Sequence, residues 1–533
     1  MKRRDFLGTG IAGAVAAVGH SRAPGAAANT TPEAFELEEI TVSQLQDGMR
    51  SGRWTARRIA ELYLERIESI DRRGPTLKAV IEVNPDAPAI ADRLDEERRG
   101  GRVRGPLHGI PVLIKDNIDT GDRMQTTAGS LALEGSTAPR DAFLVERLRA
   151  GGAVLLGKTN LSEWANFRGE NSSSGWSGRG GQTRNPYALD RNPCGSSSGS
   201  GAAAAANLAA LAIGTETNGS IVCPSSANGI VGVKPTVGIW SRSGIIPISQ
   251  TQDTAGPMCR TVTDAAVLLG ALTGVDPRDP ATRGAQGKLL ADYPADLKPE
   301  ALRQVRVGVA RKGFNLSDKV VAVFEQALAA LKEAGAVLVD PTDLPAAERQ
   351  LGADEIEVLL YEFKTGLEAY LATRAPAVSH RTLKDLIAFN ERNRDRELAF
   401  FGQEYLIRAA AKGPLTDPKY RATRRRLLSI SRGNFNGLLA RRRLDAIVCM
   451  TGGPAWPIDL VNGDRFTGGD ASYPAVTGYP HVTVPAGTVH GLPVGLSFFG
   501  PAWSEGRLLA YAYAFERARP SRVGPTLAPT IPG

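Results

Sequence analysis

The sequence predicts an α/β protein whose sheet is covered by helices on both faces. The helical run Ala142–Ala150 stops at Gly151-Gly152 and gives way to a strand at Ala153–Leu156. The same alternation returns as strand Val305–Ala310, helix Lys319–Ala334 and strand Ala336–Val339. A content of 42% hydrophobic and 23% charged residues is that of a soluble globular chain with an ample core. Length alone, 533 residues, predicts two or more domains.

The first 28 residues read as an export leader. Arg3-Arg4-Asp5-Phe6-Leu7-Gly8 gives a basic start, Gly10–Val18 an apolar run, and Ala26-Ala27-Ala28 a small-residue cleavage site, the pattern of a twin-arginine signal. The apolar run is too short to serve as a membrane anchor. Gly8-x-Gly10-x-x-Gly13 matches a dinucleotide-binding fingerprint, but no strand precedes it, and it lies in the leader.

Beyond the leader, Leu37–Asp71 reads as helices, with Thr41 as a cap and Ser51-Gly52 as a break. Lys78–Val83 and Gly109–Ile114 are short strands around a charged helix at Ala87–Arg99. Asp276–Glu300, rich in Pro, Asp and Gly, reads as a linker. Asp354–Arg443 is almost wholly helical, interrupted at Pro376 and Pro414, a suitable wall for a substrate pocket. Strands follow at Ala446–Cys449, Val482–Pro485 and Val494–Phe499, then a helix at Ser504–Arg517. From Pro520 the chain reads as a loose tail.

The chemistry concentrates between Gly195 and Ser226. Two serine-bearing, glycine-rich turns flank the charge-free segment Ala202–Ala212, which predicts one buried helix and brings Ser196 and Ser220 together from its two ends. Gly/Ser clusters are usually linkers. A linker, however, does not run directly into apolar core on both sides.

Four motif blocks carry a resemblance. Gly195-Ser196-Ser197-Ser198-Gly199, Gly214-Thr215-Glu216-Thr217-Asn218-Gly219-Ser220-Ile221 and Gly232-Val233-Lys234-Pro235-Thr236 resemble the defining block of the amidase signature family. Gly109-Ile110-Pro111-Val112-Leu113-Ile114-Lys115-Asp116-Asn117 resembles its strand-borne lysine. The likeness runs from about Ile40 to about Arg517. Within the family it looks most like the peptide amidases, through Gly175-Trp176-Ser177, Gly181–Tyr187 and Thr451–Pro457. It implies one large domain over residues 29–520, with a mixed central sheet, and leaves 521–533 as the tail.

Two other serine-enzyme schemes fail on sequence. Gly195-x-Ser197-x-Gly199 matches a nucleophile elbow, but the polar, proline-containing stretch Asn185–Cys194 cannot supply the apolar strand an elbow needs. Lys364-Thr365-Gly366 matches a penicillin-binding motif, yet no lysine has a serine three residues before it. The resemblance implies a third scheme, with Ser220 as nucleophile, Ser196 as bridging serine after a cis peptide bond, and Lys115 as base. A hydroxyl needs such a base at neutral pH, and a lysine can act only when burial lowers its pKa. A lone strand-end lysine more often reaches for solvent; with both serines present, the catalytic reading of Lys115 prevails. The backbone N–H groups of Thr217, Asn218 and Gly219, with that of Ser220, would face the developing oxyanion. Asn218 departs from the family's usual glycine, and asparagine tolerates unusual backbone angles.

The implied activity is hydrolysis of a primary carboxamide, with the C-terminal amide of peptides preferred, and needs no metal or organic cofactor. Arylamides or small aliphatic amides are alternatives, as is a catalytically silent binding protein of the same fold. Trp176 and Trp456 are candidate substrate-binding residues. The formal charge of +8 includes +3 from the leader, and arginines such as Arg424–Arg426 and Arg441–Arg443 lack interleaved aromatics, so no nucleic-acid partner is expected. Cys194, Cys223, Cys259 and Cys449 show no metal-ligand spacing and read as reduced core residues, the first two lining the site; His20, His108, His380, His481 and His490 are too dispersed for a zinc site.

Overall fold

The computed structural model describes residues 35–312, 316–344, 348–375, 378–469 and 471–532; the leader lies outside them. In chain order the strands are β1 (Val80–Val83), β2 (Pro111–Lys115), β3 (Val154–Thr159), β4 (Trp176–Ser177), β5 (Gly181–Gln182), β6 (Leu211–Glu216) and β7 (Val231–Lys234). They continue as β8 (Thr254–Cys259), β9 (Arg306–Val309), β10 (Val337–Val339), β11 (Ala446–Met450), β12 (His481–Val489) and β13 (Leu492–Phe499). Eleven of them form one sheet in the order β1-β3-β2-β6-β8-β7-β12-β13-β11-β9-β10, while β4 and β5 make a separate small hairpin. The sheet is mixed: β2 runs parallel to β3 and β6, β11 to β9, and β9 to β10, and the remaining pairs are antiparallel.

The central strands are continuous apolar runs because both faces are covered. Every residue of β2, β3, β6, β7, β8 and β13 is buried. Helix Ser198–Ala205 packs on β2, β3, β6 and β8, helix Asp318–Glu333 on β12 and β13, and helix Glu505–Ala518 on β12. Local signals set the helix ends. Thr41 and Gln44 form a capping box, and Gly52 closes that helix at φ 78°. Residues 37–533 form one compact unit; of Met1–Glu36 only residues 35 and 36 are described. The helical insertion appears as Glu348–Ala372, Leu383–Arg392, Arg394–Glu397, Glu404–Ala410 and Pro418–Arg442.

Three expectations are corrected. The segment Ala202–Ala212 is not one helix: the helix ends at Ala205, Asn207 takes a left-handed φ of 57°, and Leu211 begins β6. A short buried apolar run has no periodicity to tell a central strand from a buried helix. Asp276–Glu300 is not a linker, because Asp276 accepts from Ser241 at 2.7 Å, Asp279 pairs with Arg242 at 2.6 Å, and Tyr293 is buried. The chain after Pro520 is not loose either. Arg522 pairs with Glu39 at 2.5 Å and donates to the Gly229 carbonyl at 2.7 Å, and the Leu527 N–H donates to the Pro186 carbonyl at 2.9 Å.

Candidate active site

The parallel register of β2 and β6, Ile114 beside Ile213, brings their carboxyl ends to one edge, where open α/β sheets characteristically bind ligands. Lys115 closes β2 and is completely buried. Its Nζ lies 2.8 Å from Ser196 Oγ, 3.1 Å from Ser197 Oγ and 2.9 Å from Thr215 Oγ1. Asn117 Nδ2 donates to the same Thr215 hydroxyl at 3.0 Å. Burial brings the Lys115 amine down from 10.5 to about 7, against the opposing charges of Asp253 and Glu216. The group is therefore substantially neutral at physiological pH.

The two serine turns meet at the backbone. The Ser197 N–H donates to the Ser220 carbonyl at 3.1 Å, and the Gly195–Ser196 peptide is cis. Ser196 is fully buried, while Ser220 is 9% exposed. Ser197 is committed elsewhere: its hydroxyl donates to the Thr215 carbonyl at 3.0 Å and accepts from the Thr215 N–H at 3.1 Å.

After β6 the chain turns through Thr217, Asn218 and Gly219 into helix Val222–Ala227. Glu216 Oε2 accepts from the Ile221 and Val222 N–H groups at 2.7 and 3.1 Å and so fixes the start of that helix. Gly219 takes φ 79°, the left-handed region that glycine enters at little cost. Asn218 needs no such freedom, because the unusual angle sits one residue later. Its side chain instead donates to Glu355 Oε1 at 2.9 Å, and Gln252 Nε2 donates to the same atom at 2.7 Å. Thr217 Oγ1 donates to Asp253 Oδ1 at 2.6 Å, while Asp253 Oδ2 accepts from the Ile248 and Ser249 N–H groups at 2.8 Å. Burial pushes Asp253 up to about 6, so it is mostly ionised at neutral pH. A cavity of about 250 Å³ adjoins this side of the site, with Asn117, Thr215, Thr217 and Asp253 among its lining.

Both tryptophans singled out in the sequence are buried. Trp456 packs in one cluster with Cys194 and Ile221, donates from Nε1 to Asp464 Oδ1 at 3.3 Å, and meets Phe466 edge-on at 6.0 Å. Trp176 lies beneath Phe400 and Phe401, with the Arg168 guanidinium 5.0 Å from its ring centroid. The two neighbourhoods are joined, since the Ser174 N–H donates to Asp464 Oδ1 at 2.9 Å. Phe400 and Phe466 are 43% and 47% exposed, unusual for phenylalanine, on two buried tryptophans beside the serine turns.

The cysteine expectation is corrected in part: Cys194 and Cys223 form a disulfide, while Cys259 and Cys449 are buried free thiols. Their spacing of 29 residues gives no sign of pairing; only the fold brings the turns together. Among the described residues no group of His, Cys, Asp or Glu is arranged to hold a metal ion, and no helix is long and apolar enough to cross a membrane.

A profile of the Amidase family matches residues 58–509. The chain belongs to the amidase signature family. The crystal structure of native peptide amidase from Stenotrophomonas maltophilia is 51% identical, with a TM-score of 0.87 over 92% of this chain and 99% of that one. A peptide amidase in complex with the competitive inhibitor chymostatin is 52% identical, with a TM-score of 0.89 over 92% of this chain and 100% of that chain. A probable amidase of Arabidopsis thaliana is 41% identical, with 91% of each chain covered. This amidase therefore has the single large α/β domain that the motif blocks implied.

Proposed function

We propose that this amidase hydrolyses primary carboxamides, with C-terminally amidated peptides as its substrates, through a Ser220 acyl-enzyme. The observation that carries the reading is a fully buried Lys115 amine, depressed to about 7, within hydrogen-bond reach of Ser196 on the turn that abuts Ser220. Kinship with peptide amidases over nearly their whole length supports the choice of substrate.

In this reading neutral Lys115 takes the Ser196 proton as Ser196 takes that of Ser220, and Ser220 Oγ bonds to the amide carbon. The oxyanion faces the N–H groups of Thr217, Asn218, Gly219 and Ser220, each donor stabilising it by about 3 kcal/mol. The relay returns the proton to nitrogen, the C–N bond breaks, and ammonia leaves. Water then attacks the ester carbon by the same proton route and releases the acid and free Ser220. No step calls on a cofactor. Trp456 with Phe466, and Trp176 with Phe400, form the apolar wall against the acyl side chain. The Cys194–Cys223 disulfide supports the reading of Met1–Ala28 as an export leader, since such bonds persist in oxidising compartments.

The test is covalent labelling with a fluorophosphonate, together with ammonia release from a panel of amidated peptides, anilides and short amides. Labelling lost in Ser220→Ala, with fastest turnover on amidated peptides, is expected. Equal labelling of both proteins would remove Ser220 as the nucleophile, and preference for anilides would move the substrate class.

A further inference from the structure

We infer that the Cys194–Cys223 disulfide is a positioning pair for catalysis, a covalent staple that sets the bridging-serine turn against the nucleophile turn. The inference rests on the roles given above to Ser196 and Ser220. Cys194 stands two residues before Ser196, and Cys223 three residues after Ser220 in the first turn of helix Val222–Ala227. The staple thus joins the two chain segments that must present their hydroxyls to each other.

The surrounding contacts show why this junction benefits from a covalent tie. Each turn is anchored within its own neighbourhood. Cys194 receives Ser198 Oγ on its carbonyl at 2.6 Å and gives its N–H to Asn192 Oδ1 at 2.8 Å, whereas the Cys223 N–H donates to the Gly219 carbonyl at 2.8 Å. Between the turns the backbone supplies the Ser197 to Ser220 hydrogen bond. Asn228 Nδ2, just past the helix, adds a tie to the Pro193 carbonyl at 2.8 Å, and the disulfide is the covalent bond between these same two segments.

Cys194 also holds a left-handed φ of 59°, a conformation unfavourable for a residue with a side chain and one that the surrounding structure must impose. Gly195, which follows it, has no room to shift: a Cβ there would come 2.3 Å from Ser162 Oγ and 2.8 Å from Ser174 Oγ. Cys194 and Gly195 thus lead into Ser196 through a closely packed segment, and Ser196 Oγ lies 2.8 Å from Lys115 Nζ.

Misplacement of reacting groups by about 1 Å can cost roughly 10²-fold in rate. Loss of the staple is thus expected in kcat far more than in KM, because the staple sets the two hydroxyls, while Trp176, Phe400, Trp456 and Phe466 lie outside the two turns, Trp456 alone among them packing in the cluster that holds Cys194.

The experiment uses the full chain, freed of its leader. Thiol titration after denaturation should find two thiols, those of Cys259 and Cys449, and four after treatment with dithiothreitol, which returns the pair to thiols as it closes to its own cyclic disulfide. Reduction at a temperature where circular dichroism shows a folded protein should lower kcat about tenfold or more, with KM within about twofold, and slow fluorophosphonate labelling in parallel. Reoxidation should restore both. Cys194→Ala/Cys223→Ala should begin at the reduced level and ignore dithiothreitol.

Four thiols in the untreated protein would overturn the inference. So would a reduced or doubly substituted enzyme with wild-type kcat, or one that loses activity only as it unfolds. If untreated wild type is itself not labelled, it is the nucleophile assignment that has failed. Brisk labelling that is indifferent to reduction sinks the staple alone.

Discussion

At the scale of single residues, the site depends on how much charge can be kept from one amine. Lys115 is depressed to about 7 because it is buried, and only its neutral form can accept a proton. kcat/KM should therefore rise with pH through a midpoint near 7, and Lys115→Ala should lose roughly 10²–10⁴-fold in kcat while folding normally. A flat profile from about pH 5 to about pH 9, or a fully active Lys115→Ala, would refute its role as base. The same shift has a thermodynamic side. The unfolded amine keeps its proton up to 10.5, so between about 7 and 10.5 the unfolded state binds more protons and stability rises with pH. Lys115→Met removes this dependence: its melting temperature relative to wild type should be most favourable below pH 7 and fall as pH rises. Asp253 provides a separate check. Its charge holds the Lys115 pKa up, so Asp253→Asn should move the acid limb of the rate profile to lower pH, whatever it does to the plateau.

At the scale of elements, Asn218 shows how a departure from the usual motif is accommodated. Glu355, on the long helix Glu348–Ala372, accepts from both Asn218 and Gln252 and thereby ties the insertion to the segment that would form the oxyanion hole. Glu355→Ala should lower kcat by roughly tenfold with little change in KM, and Glu355→Gln, which still offers an acceptor, should recover most of it. A change confined to KM would place Glu355 in substrate binding instead. Elements with strong punctuation were legible in the sequence: Ala87–Arg99 is the helix expected, and Lys115 ends its strand as expected. Where punctuation is missing the sequence misleads, as in the Ala-rich run that leaves a helix at Ala205, turns, and enters a strand at Leu211. β8 went unread because Gly256 and Pro257 interrupt what would otherwise signal a strand. Lys115, Ser196 and Ser220 could be singled out because each lies in a local motif block. Asp253 and Glu355 could not, since each reaches the site from another segment with no signature of its own; Cys194 and Cys223 stand beside the two serine turns, but a spacing of 29 residues gives no sign that they pair.

At the scale of the whole molecule, the helical insertion is bolted to the sheet domain by a buried triplet. Arg168 Nη1 lies 2.7 Å from Glu163 Oε1 and 3.5 Å from Glu397 Oε2, all three side chains are fully buried, and Glu397 also accepts from the Leu131 N–H at 2.7 Å. One cation cannot neutralise two buried carboxylates. Burial and the neighbouring Glu163 therefore push Glu397 well above the usual carboxylate range, and it stays protonated at neutral pH. A raised folded-state pKa gives stability that is present at low pH and lost as pH climbs toward that pKa. Glu397→Gln, neutral at every pH, should match wild type near pH 5 and melt a few degrees higher in mildly alkaline solution. Equal melting temperatures across that range would show that Glu397 is ionised.

The lacing of Arg522 to Glu39, and of Leu527 to Pro186, brings the final stretch of polypeptide back over segments synthesised hundreds of residues earlier. Full closure of the body must then wait until residues 522–527 have left the ribosome. A nascent chain stalled before Pro520 would hold the site-bearing segment only partly covered, without the Arg522 contacts to the Gly229 and Ala205 carbonyls.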